Sequence, residues 1–205
     1  MEHPSSTSER IIALEQENKD LQSRLEKAEF LAYHDGLTGL PNKHGLERYI
    51  EEHGVESKIV LFFDSNNFGK INKIFGHTTG DTVIKELADV LHASMREKDF
   101  LARLGGDEFV AILDNASRQE DQEQPADAPN IVSAVQERVF AATAEYLTRN
   151  PAYKEIELGM SIGAAIGNES SSFEELRDQA DANMRAHKTS QLGNHALTLV
   201  APATS

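Results

Sequence analysis

Gly105-Gly106-Asp107-Glu108 is the stretch that decides the fold of this chain. It separates two short apolar runs, residues 100–104 and 109–113, and two such runs joined by a few residues that include Gly predict a β-hairpin. Glycine adopts backbone angles that a side chain forbids, and it leaves room for a ligand against the main chain. The predicted hairpin therefore carries two carboxylates at an uncrowded tip, a suitable place for a divalent cation and a phosphorylated ligand.

A further carboxylate follows a predicted buried strand. The continuous apolar run at residues 59–63 is typical of a strand covered on both faces, and it ends at Asp64 and Ser65. Mg²⁺ takes few protein carboxylates and keeps its other positions for water and substrate phosphates. Asp64 beside the hairpin tip therefore predicts a two-carboxylate magnesium site. The alternative is that Asp64 only caps the turn after the strand, because Asp is common in turns.

Residues 103–109, Arg-Leu-Gly-Gly-Asp-Glu-Phe, resemble the signature of the GGDEF domain family, the diguanylate cyclases. Other segments resemble further motifs of that family in the same order, which is more specific than one motif alone. They are residues 35–42, 64–77, Gly80-Asp81, 160–163, and Ala180-Asp181 followed by Lys188. The resemblance covers roughly residues 30 to 200. It implies an α+β, palm-like nucleotidyl-cyclase fold, with a central, mostly antiparallel sheet flanked by helices.

The resemblance also implies a reaction and the residues that perform it. Two GTP molecules, one in each of two facing domains, condense to cyclic di-GMP and release two pyrophosphates. The implied cofactor is Mg²⁺, two per active site, with Mn²⁺ as a substitute. The matching metal ligands are Asp64, the Ser65 carbonyl and Asp107, and the matching catalytic residues are Glu108, which activates or orients the ribose hydroxyl, and Asp107. The matching substrate-binding residues are Asn72 and Asp81 for guanine, Lys188 for phosphate, and Phe68, Gly105 and Gly106 around the nucleotide.

A tetrapeptide shortly before the signature resembles the family's inhibitory RxxD motif, which binds the product. Here it reads Arg96-Glu97-Lys98-Asp99, and the matching product-binding residues are Arg96 and Asp99. Arginine offers a planar fork for guanine edges and phosphate, and Asp accepts from the guanine donors. The alternative reading is an ordinary helix end. Lys43-His44 departs from the family's paired arginines, one of which reaches this site from a partner domain, so that cross-domain contact is not predicted.

Three other positions depart from the family pattern. Gly69 stands where the family usually has a triphosphate-contacting Lys, Leu192 where it usually has Arg, and Asn66 where it usually has Asp. On a helix, Lys73 would share a face with Gly69 and could substitute for the missing cation, as Arg185 or His195 could near Leu192. The favoured function is an active diguanylate cyclase. The alternative is a catalytically weak or silent module that binds GTP or cyclic di-GMP as a sensor.

The first segment predicts a separate dimerisation element. Ile11, Asn18, Leu25 and Ala32 recur every seven residues, and Leu14, Leu21 and Ala28 form a second row offset by three. These rows are the seams of a heptad repeat, so we expect a coiled-coil helix at residues 1–32 and a catalytic domain at residues 33–205. The alternative is a single amphipathic helix that lies on the domain. A homodimer is favoured because the implied reaction needs two facing sites.

Composition limits the partners and the location. The net charge of −14 argues against non-specific nucleic-acid binding. The chain has no cysteine and therefore no disulfide or thiolate metal site. No apolar run approaches membrane-spanning length, and no secretory signal opens the chain, so we expect no membrane segment within this chain and a cytoplasmic location.

The remaining periodicities predict alternating helices and strands. Apolar residues at helical spacing indicate helices, and a capping box at Ser172 opens another helix that runs to about Lys188. The polar, acidic stretch at residues 114–130 predicts a surface loop. The predicted helices are 45–52, 79–95, 131–147 and 172–188, and the predicted strands are 155–166 and 196–200.

Overall fold

The computed structural model describes residues 7–114 and 128–190. Within these residues the chain forms seven helices and four strands. The helices are α1 (Thr7–Tyr33), α2 (Lys43–His53), α3 (Phe68–Phe75), α4 (His77–Ser94), α5 (Ala128–Arg149), α6 (Pro151–Glu155) and α7 (Phe173–Ser190). The strands are β1 (Lys58–Asn66), β2 (Phe100–Gly105), β3 (Glu108–Asp114) and β4 (Gly159–Ile166).

The four strands form one antiparallel sheet in the order β2-β3-β1-β4. β1 pairs with β3 on one side and β4 on the other, so the strand that ends near Asp64 is fixed along both edges. The hairpin of β2 and β3, called the signature hairpin below, occupies residues 100–114. The pairing of β3 with β1 places Glu108 directly opposite Asp64. The predicted α+β fold with an antiparallel sheet flanked by helices is confirmed.

Alternating residues of β1 enter two separate apolar cores, as expected of a strand with helices on both faces. Ile59, Leu61 and Phe63 are buried with α3, α4 and α5 on one face of the sheet. Val60 and Phe62 are buried with α2 and α7 on the other. The close packing of α7 requires a glycine on β4, because a Cβ at Gly163 would overlap the backbone of α7.

Two predictions about local structure are wrong. The predicted strand at 155–166 begins only at Gly159, because Pro151 opens the short helix α6 and Glu157 has a left-handed φ of 58° that interrupts an extended chain. The predicted loop at 114–130 ends earlier, since α5 already begins at Ala128. Residues 115–127 and the predicted strand at 196–200 lie outside the described residues.

The first helix is continuous and exposes its apolar seams. In α1, Ile11, Leu14, Leu21 and Leu25 are each at least half exposed. The helix therefore does not bury these seams against the described part of its own domain, contrary to the alternative of a helix lying on it. In the described part of the chain, no helix combines the length and apolarity needed to cross a bilayer.

Candidate active site

Three acidic residues stand at the end of the sheet where β1 pairs with the signature hairpin. Asp64 and Glu108 are cross-strand partners, so their Cα atoms are about 4.5–5.5 Å apart and their side chains leave the same face of the sheet. Asp107 precedes Glu108 in the two-residue turn of the hairpin. Asp64 and Asp107 are half-buried, whereas Glu108 is exposed. The structure therefore makes two of the predicted acids, Asp64 and Glu108, cross-strand partners and places the third, Asp107, in the adjoining turn.

The turn that presents Asp107 depends on its two glycines. Gly105 has φ 142° and Gly106 has φ 55°, conformations that L side chains rarely adopt. A Cβ on either glycine would meet no atom within 4 Å, so backbone conformation rather than crowding requires glycine here. The open space beside the main chain agrees with the predicted room for a nucleotide.

The Arg103 side chain links the hairpin tip to Asp35. Its Nε and Nη2 donate to the Gly106 carbonyl at 3.1 and 2.7 Å, and its Nη1 donates to Asp35 Oδ1 at 2.7 Å. Thr38 also donates to Asp35, through its backbone N–H at 2.9 Å and its hydroxyl at 2.7 Å. Partial burial raises the pKa of Asp35, but these hydrogen bonds and the Arg103 charge outweigh it and hold that pKa below its ordinary value of 3.8.

The ion pair of Asp35 and Arg103 predicts a pH dependence of stability. The folded state lowers the pKa of Asp35. The stability that the charged Asp35 contributes is therefore fully present above pH 3.8, and it is lost as the pH falls through the lower pKa of the folded state. At pH 7 we expect Asp35→Asn to lower the free energy of unfolding by about 1–2 kcal/mol. Urea titrations from pH 7 to pH 2.5 should show this difference shrinking in acid.

Asp114→Asn is the matched control, because Asp114 is a half-exposed carboxylate at the opposite end of the signature hairpin. It should cost less than Asp35→Asn at pH 7. An Asp35→Asn cost that stays constant down to pH 2.5 would contradict the assignment of the stabilisation to the charged carboxylate.

The end of β1 is tied to β4 by a side-chain hydrogen bond. Ser161 Oγ donates to Asn66 Oδ1 at 2.7 Å, so Asn66, which replaces the family's Asp, serves as an acceptor in this tie. Ser65 is buried, and its hydroxyl has no hydrogen-bond partner among the described residues. Strand alternation directs that hydroxyl to the face opposite Asp64, so the hydroxyl is not a candidate for the predicted metal contact and the Ser65 carbonyl remains the predicted ligand.

The predicted guanine-binding residues lie together on α3 and α4. The Asn72 side chain rests directly against Gly80, where a Cβ would collide with Asn72 Oδ1, and the Phe68 ring lies 3.3 Å from the same point. Asp81 follows Gly80 and is exposed on the first turns of α4. Gly80 therefore lets the Asn72 amide approach α4 at the position that precedes Asp81.

The predicted product-binding residues form a turn of their own between α4 and β2. The Asp99 carboxylate accepts from the Arg96 backbone N–H at 2.8 Å, and the Asp99 N–H donates to the Arg96 carbonyl at 3.0 Å. A groove of about 640 Å³ runs beside this turn and is lined in part by Gly39, Leu40 and Pro41. The motif is thus separate in the chain from the acidic cluster, with the rigid strand β2 between them.

The predicted phosphate-binding residues are only partly described. Lys188 falls within α7, but its side chain lies outside the described residues, as do Leu192 and His195. Arg185 forms an ion pair with Asp181 one turn away on α7. Lys73 is exposed on α3 four residues after Gly69, which places both on one face of that helix, as the sequence predicted.

The donor chemistry of the acidic cluster fits Mg²⁺. Carboxylate and carbonyl oxygens are the ligands that this hard cation prefers. Within residues 7–114 and 128–190, no three His, Asp or Glu side chains converge into a complete cation site. Asp64, Asp107 and the Ser65 carbonyl would therefore hold the metal together with water and nucleotide phosphates, which is the usual way in which proteins bind Mg²⁺.

Comparison with known families bears directly on this arrangement. The model of the family described as diguanylate cyclase, GGDEF domain, matches residues 32–194. This chain belongs to the GGDEF domain family. The family prediction made from the sequence motifs is confirmed.

Two relatives agree with this membership. The chain is 33% identical over 169 residues to the diguanylate cyclase DgcS of Shewanella oneidensis, covering 78% of this chain and 50% of DgcS. It is 39% identical over 143 residues to the diguanylate cyclase TpbB of Pseudomonas aeruginosa, covering 64% of this chain and 32% of TpbB. The chain thus spans half or less of these relatives.

The fold also matches a structure of the coiled coil and GGDEF domain of DgcB from Caulobacter crescentus in complex with c-di-GMP. The TM-score is 0.71 at 24% identity, covering 96% of this chain and all of that one. The match extends over α1, so a long helix before the GGDEF domain is part of both folds.

Sequence reasoning missed the residues that support the site. The Asp35–Arg103 ion pair joins positions 68 residues apart, and the sequence offers only the weak signal that each lies in a recognised motif. Asn42 was also missed: its amide donates to the Ala32 and His34 carbonyls at 3.0 and 3.1 Å, and its Oδ1 caps α2 at Gly45. Asn42 thereby fastens the end of α1 to the domain.

Proposed function

We propose that this GGDEF domain condenses two GTP molecules into cyclic di-GMP. The observation that carries the proposal is the placement of Asp64 opposite Glu108, with Asp107 in the adjoining turn. All three metal and catalytic carboxylates of the family motif are therefore present at one end of the sheet. The two residues proposed to bind guanine lie on the two helices that follow β1: Asn72 on α3 and Asp81 on α4.

In the proposed reaction, each ribose 3′-hydroxyl attacks the α-phosphorus of the other GTP. Two new P–O bonds form, the two bonds to the bridging oxygens of the β-phosphates break, and two pyrophosphates leave. Glu108 orients the hydroxyl and receives or directs its proton. Asn72 and Asp81 read the guanine edge, and Asp81 rejects adenine because adenine lacks the paired N–H donors. Two bound Mg²⁺ ions would supply charge neutralisation at the phosphates and lower the pKa of the hydroxyl.

Incubation of the purified protein with GTP and Mg²⁺ tests this proposal. Anion-exchange chromatography should resolve cyclic di-GMP, with two pyrophosphates released for each product molecule. ATP in place of GTP, and EDTA in place of Mg²⁺, should yield none. Binding of GTP by calorimetry without any product would support the sensor alternative instead, which the missing cation at Gly69 favours.

We also propose that the product inhibits the enzyme at the Arg96–Asp99 turn. Arg96 is exposed, so its charged hydrogen bonds to product are screened by water. Arg96→Ala should therefore weaken product inhibition about fivefold, equivalent to about 1 kcal/mol, and leave the initial rate unchanged. Initial rates at increasing cyclic di-GMP measure this effect.

Lys98→Ala is the matched control because Lys98 is an exposed cation of the same turn that does not line the groove beside it. It should leave inhibition as in the parent. If the two substitutions weaken inhibition equally, the turn acts only as a general basic patch. If neither substitution changes inhibition, the tetrapeptide is an ordinary helix end without a product site.

Restoring a cation at Gly69 should raise activity. A Cβ at Gly69 would meet no atom within 4 Å, and the residue is exposed on the first turn of α3, so a lysine fits. A charge-assisted contact to phosphate contributes about 1.5–3 kcal/mol, so Gly69→Lys should raise kcat/KM for GTP roughly tenfold or more. Steady-state kinetics measure the change.

Gly69→Ala separates charge from backbone effects, because it improves helix propensity without adding a cation. It should raise the melting temperature but not kcat/KM. If Lys73 already serves the phosphates, the gain from Gly69→Lys will be smaller and Lys73→Ala will be severely damaging. If neither position affects kcat/KM, positive charge on this face of α3 does not limit the reaction.

A further inference from the structure

A single residue connects the strand that carries Asp64 to the helix that carries Asn72. β1 ends at Asn66 and α3 begins at Phe68, so Asn67 alone turns the chain between them. It does so with φ 62° and ψ 17°, a left-handed conformation that Asn tolerates better than most residues. This turn therefore sets the direction in which the first turn of α3 leaves the strand that carries Asp64.

The side chain of Asn67 does not make the contact that its position favours. Asn at a helix N-cap commonly accepts a hydrogen bond from the first turn of the helix, but Asn67 makes no side-chain cap. Instead its Nδ2 donates to the carbonyl of Glu157, 90 residues away, at 3.0 Å. The amide therefore anchors the turn to a distant part of the fold.

The acceptor is itself held firmly. Glu157 has a left-handed φ of 58°, and its N–H donates to the Lys154 carbonyl at 3.0 Å. The next residue, Leu158, is buried and donates its N–H to the Tyr153 carbonyl at 3.1 Å. The Glu157 carbonyl thus lies in a tight turn between α6 and β4.

Other contacts hold the later turns of α3. Ile71 is fully buried in the core, and the Asn72 side chain rests against Gly80. Phe75 packs edge-to-face on Tyr153, with ring centroids 5.6 Å apart. At the beginning of α3, next to the strand end that carries Asp64, Phe68 packs against the apolar core and the Asn67–Glu157 hydrogen bond adds a directional polar contact.

We propose that Asn67 is a positioning residue: its hydrogen bond to the Glu157 carbonyl fixes the first turn of α3 relative to Asp64. The inference rests on the proposed reaction for its kinetic consequence. Guanine recognition at Asn72 is held separately through Gly80, so loss of the hydrogen bond should displace the triphosphate end of the nucleotide more than its base. Small misplacements of reacting groups lower rates strongly, which predicts an effect on kcat rather than KM.

Asn67→Gly tests the proposal, because glycine keeps the left-handed backbone and removes only the side-chain hydrogen bond. We expect kcat to fall about tenfold with KM for GTP within about twofold, since the reacting groups rather than the base are misplaced. Hydrogen exchange of peptides covering α3 should accelerate at least about fivefold, because local opening becomes easier. Glu157→Asn is the matched control: it keeps the acceptor carbonyl and tolerates the left-handed angle, so both measurements should match the parent.

A purely structural role would lower the melting temperature and the folded fraction without changing kcat per folded molecule, and that result overturns the proposal. Unchanged hydrogen exchange in α3 also overturns it. If the parent protein makes no cyclic di-GMP, the proposed function fails. The exchange comparison, together with the affinity for GTP and Mg²⁺ by calorimetry, still decides whether Asn67 fixes the beginning of α3.

Discussion

Asp64→Ala and Asp107→Ala are each expected to lower the synthesis of cyclic di-GMP at least about a thousandfold, a loss of roughly 4 kcal/mol of transition-state stabilisation. Each substitution removes one of the few protein ligands that the Mg²⁺ site offers. The fold should survive, because neither carboxylate belongs to the two apolar cores. Chromatographic assays of product and circular dichroism on the same samples measure both outcomes.

The geometry of the sheet adds a prediction about stability. Asp64 lies directly opposite Glu108, and like charges that face each other across strands are destabilising. In the absence of metal, Asp64→Ala should therefore keep or slightly raise the melting temperature of the parent. Asp89→Ala, which removes an exposed carboxylate on α4, is the control and should leave activity unchanged. Substantial turnover in either Asp64→Ala or Asp107→Ala would exclude the metal assignment.

Leu21→Glu should have the second large effect, through assembly. We propose that α1 pairs with the α1 of a second copy, because its seams are apolar and exposed and the proposed reaction needs two domains. Burial of a leucine contributes about 1.5–3 kcal/mol, and a dimer contains two copies of each seam residue, so the dissociation constant should rise at least about a hundredfold. Sedimentation at several protein concentrations measures the shift.

Turnover per protomer should fall in parallel at low protein concentration and recover as concentration rises. Ile12→Glu is the matched control, because Ile12 is 65% exposed on α1 but lies off both seams. It should leave the dissociation constant close to that of the parent. An unchanged oligomeric state in Leu21→Glu would show that α1 does not hold the dimer, and the predicted boundary between residues 1–32 and 33–205 would then lose its functional meaning.

The sequence predicted the elements whose signal is local. The signature hairpin and the buried strand β1 follow from short apolar runs and adjacent glycines, and α4, α5 and α7 follow from helical spacing with boundaries a few residues off. It did not predict α6, because five residues carry too little periodicity to separate a short helix from the strand that follows. The fold was therefore accessible from pattern, except where short elements meet.

The site was predictable only where motifs name residues. Asp64, Asp107 and Glu108 each stand in a recognisable local context. The contacts that hold them do not, because Arg103 reaches Asp35 and Asn67 reaches Glu157 across long stretches of chain. Such pairs depend on the tertiary path of the backbone, and a single sequence does not indicate which distant residues will meet. The departures at Gly69 and Asn66 were visible in the sequence, but only the structure gives Asn66 its hydrogen bond to Ser161.

The separation between the acidic cluster and the apolar cores has an evolutionary consequence. Phe63 and Phe109, which flank the acidic positions, are almost wholly buried and support the sheet, whereas Glu108 lies exposed at its end. Selection for a stable fold therefore acts against substitution of these phenylalanines but not against substitution of the acids. On the proposed assignment of Asp64 and Asp107 as metal ligands, one nucleotide change in either codon removes the chemistry and leaves the scaffold intact. On the same assignment, the proposed enzyme is one mutational step from a domain that only binds its nucleotide.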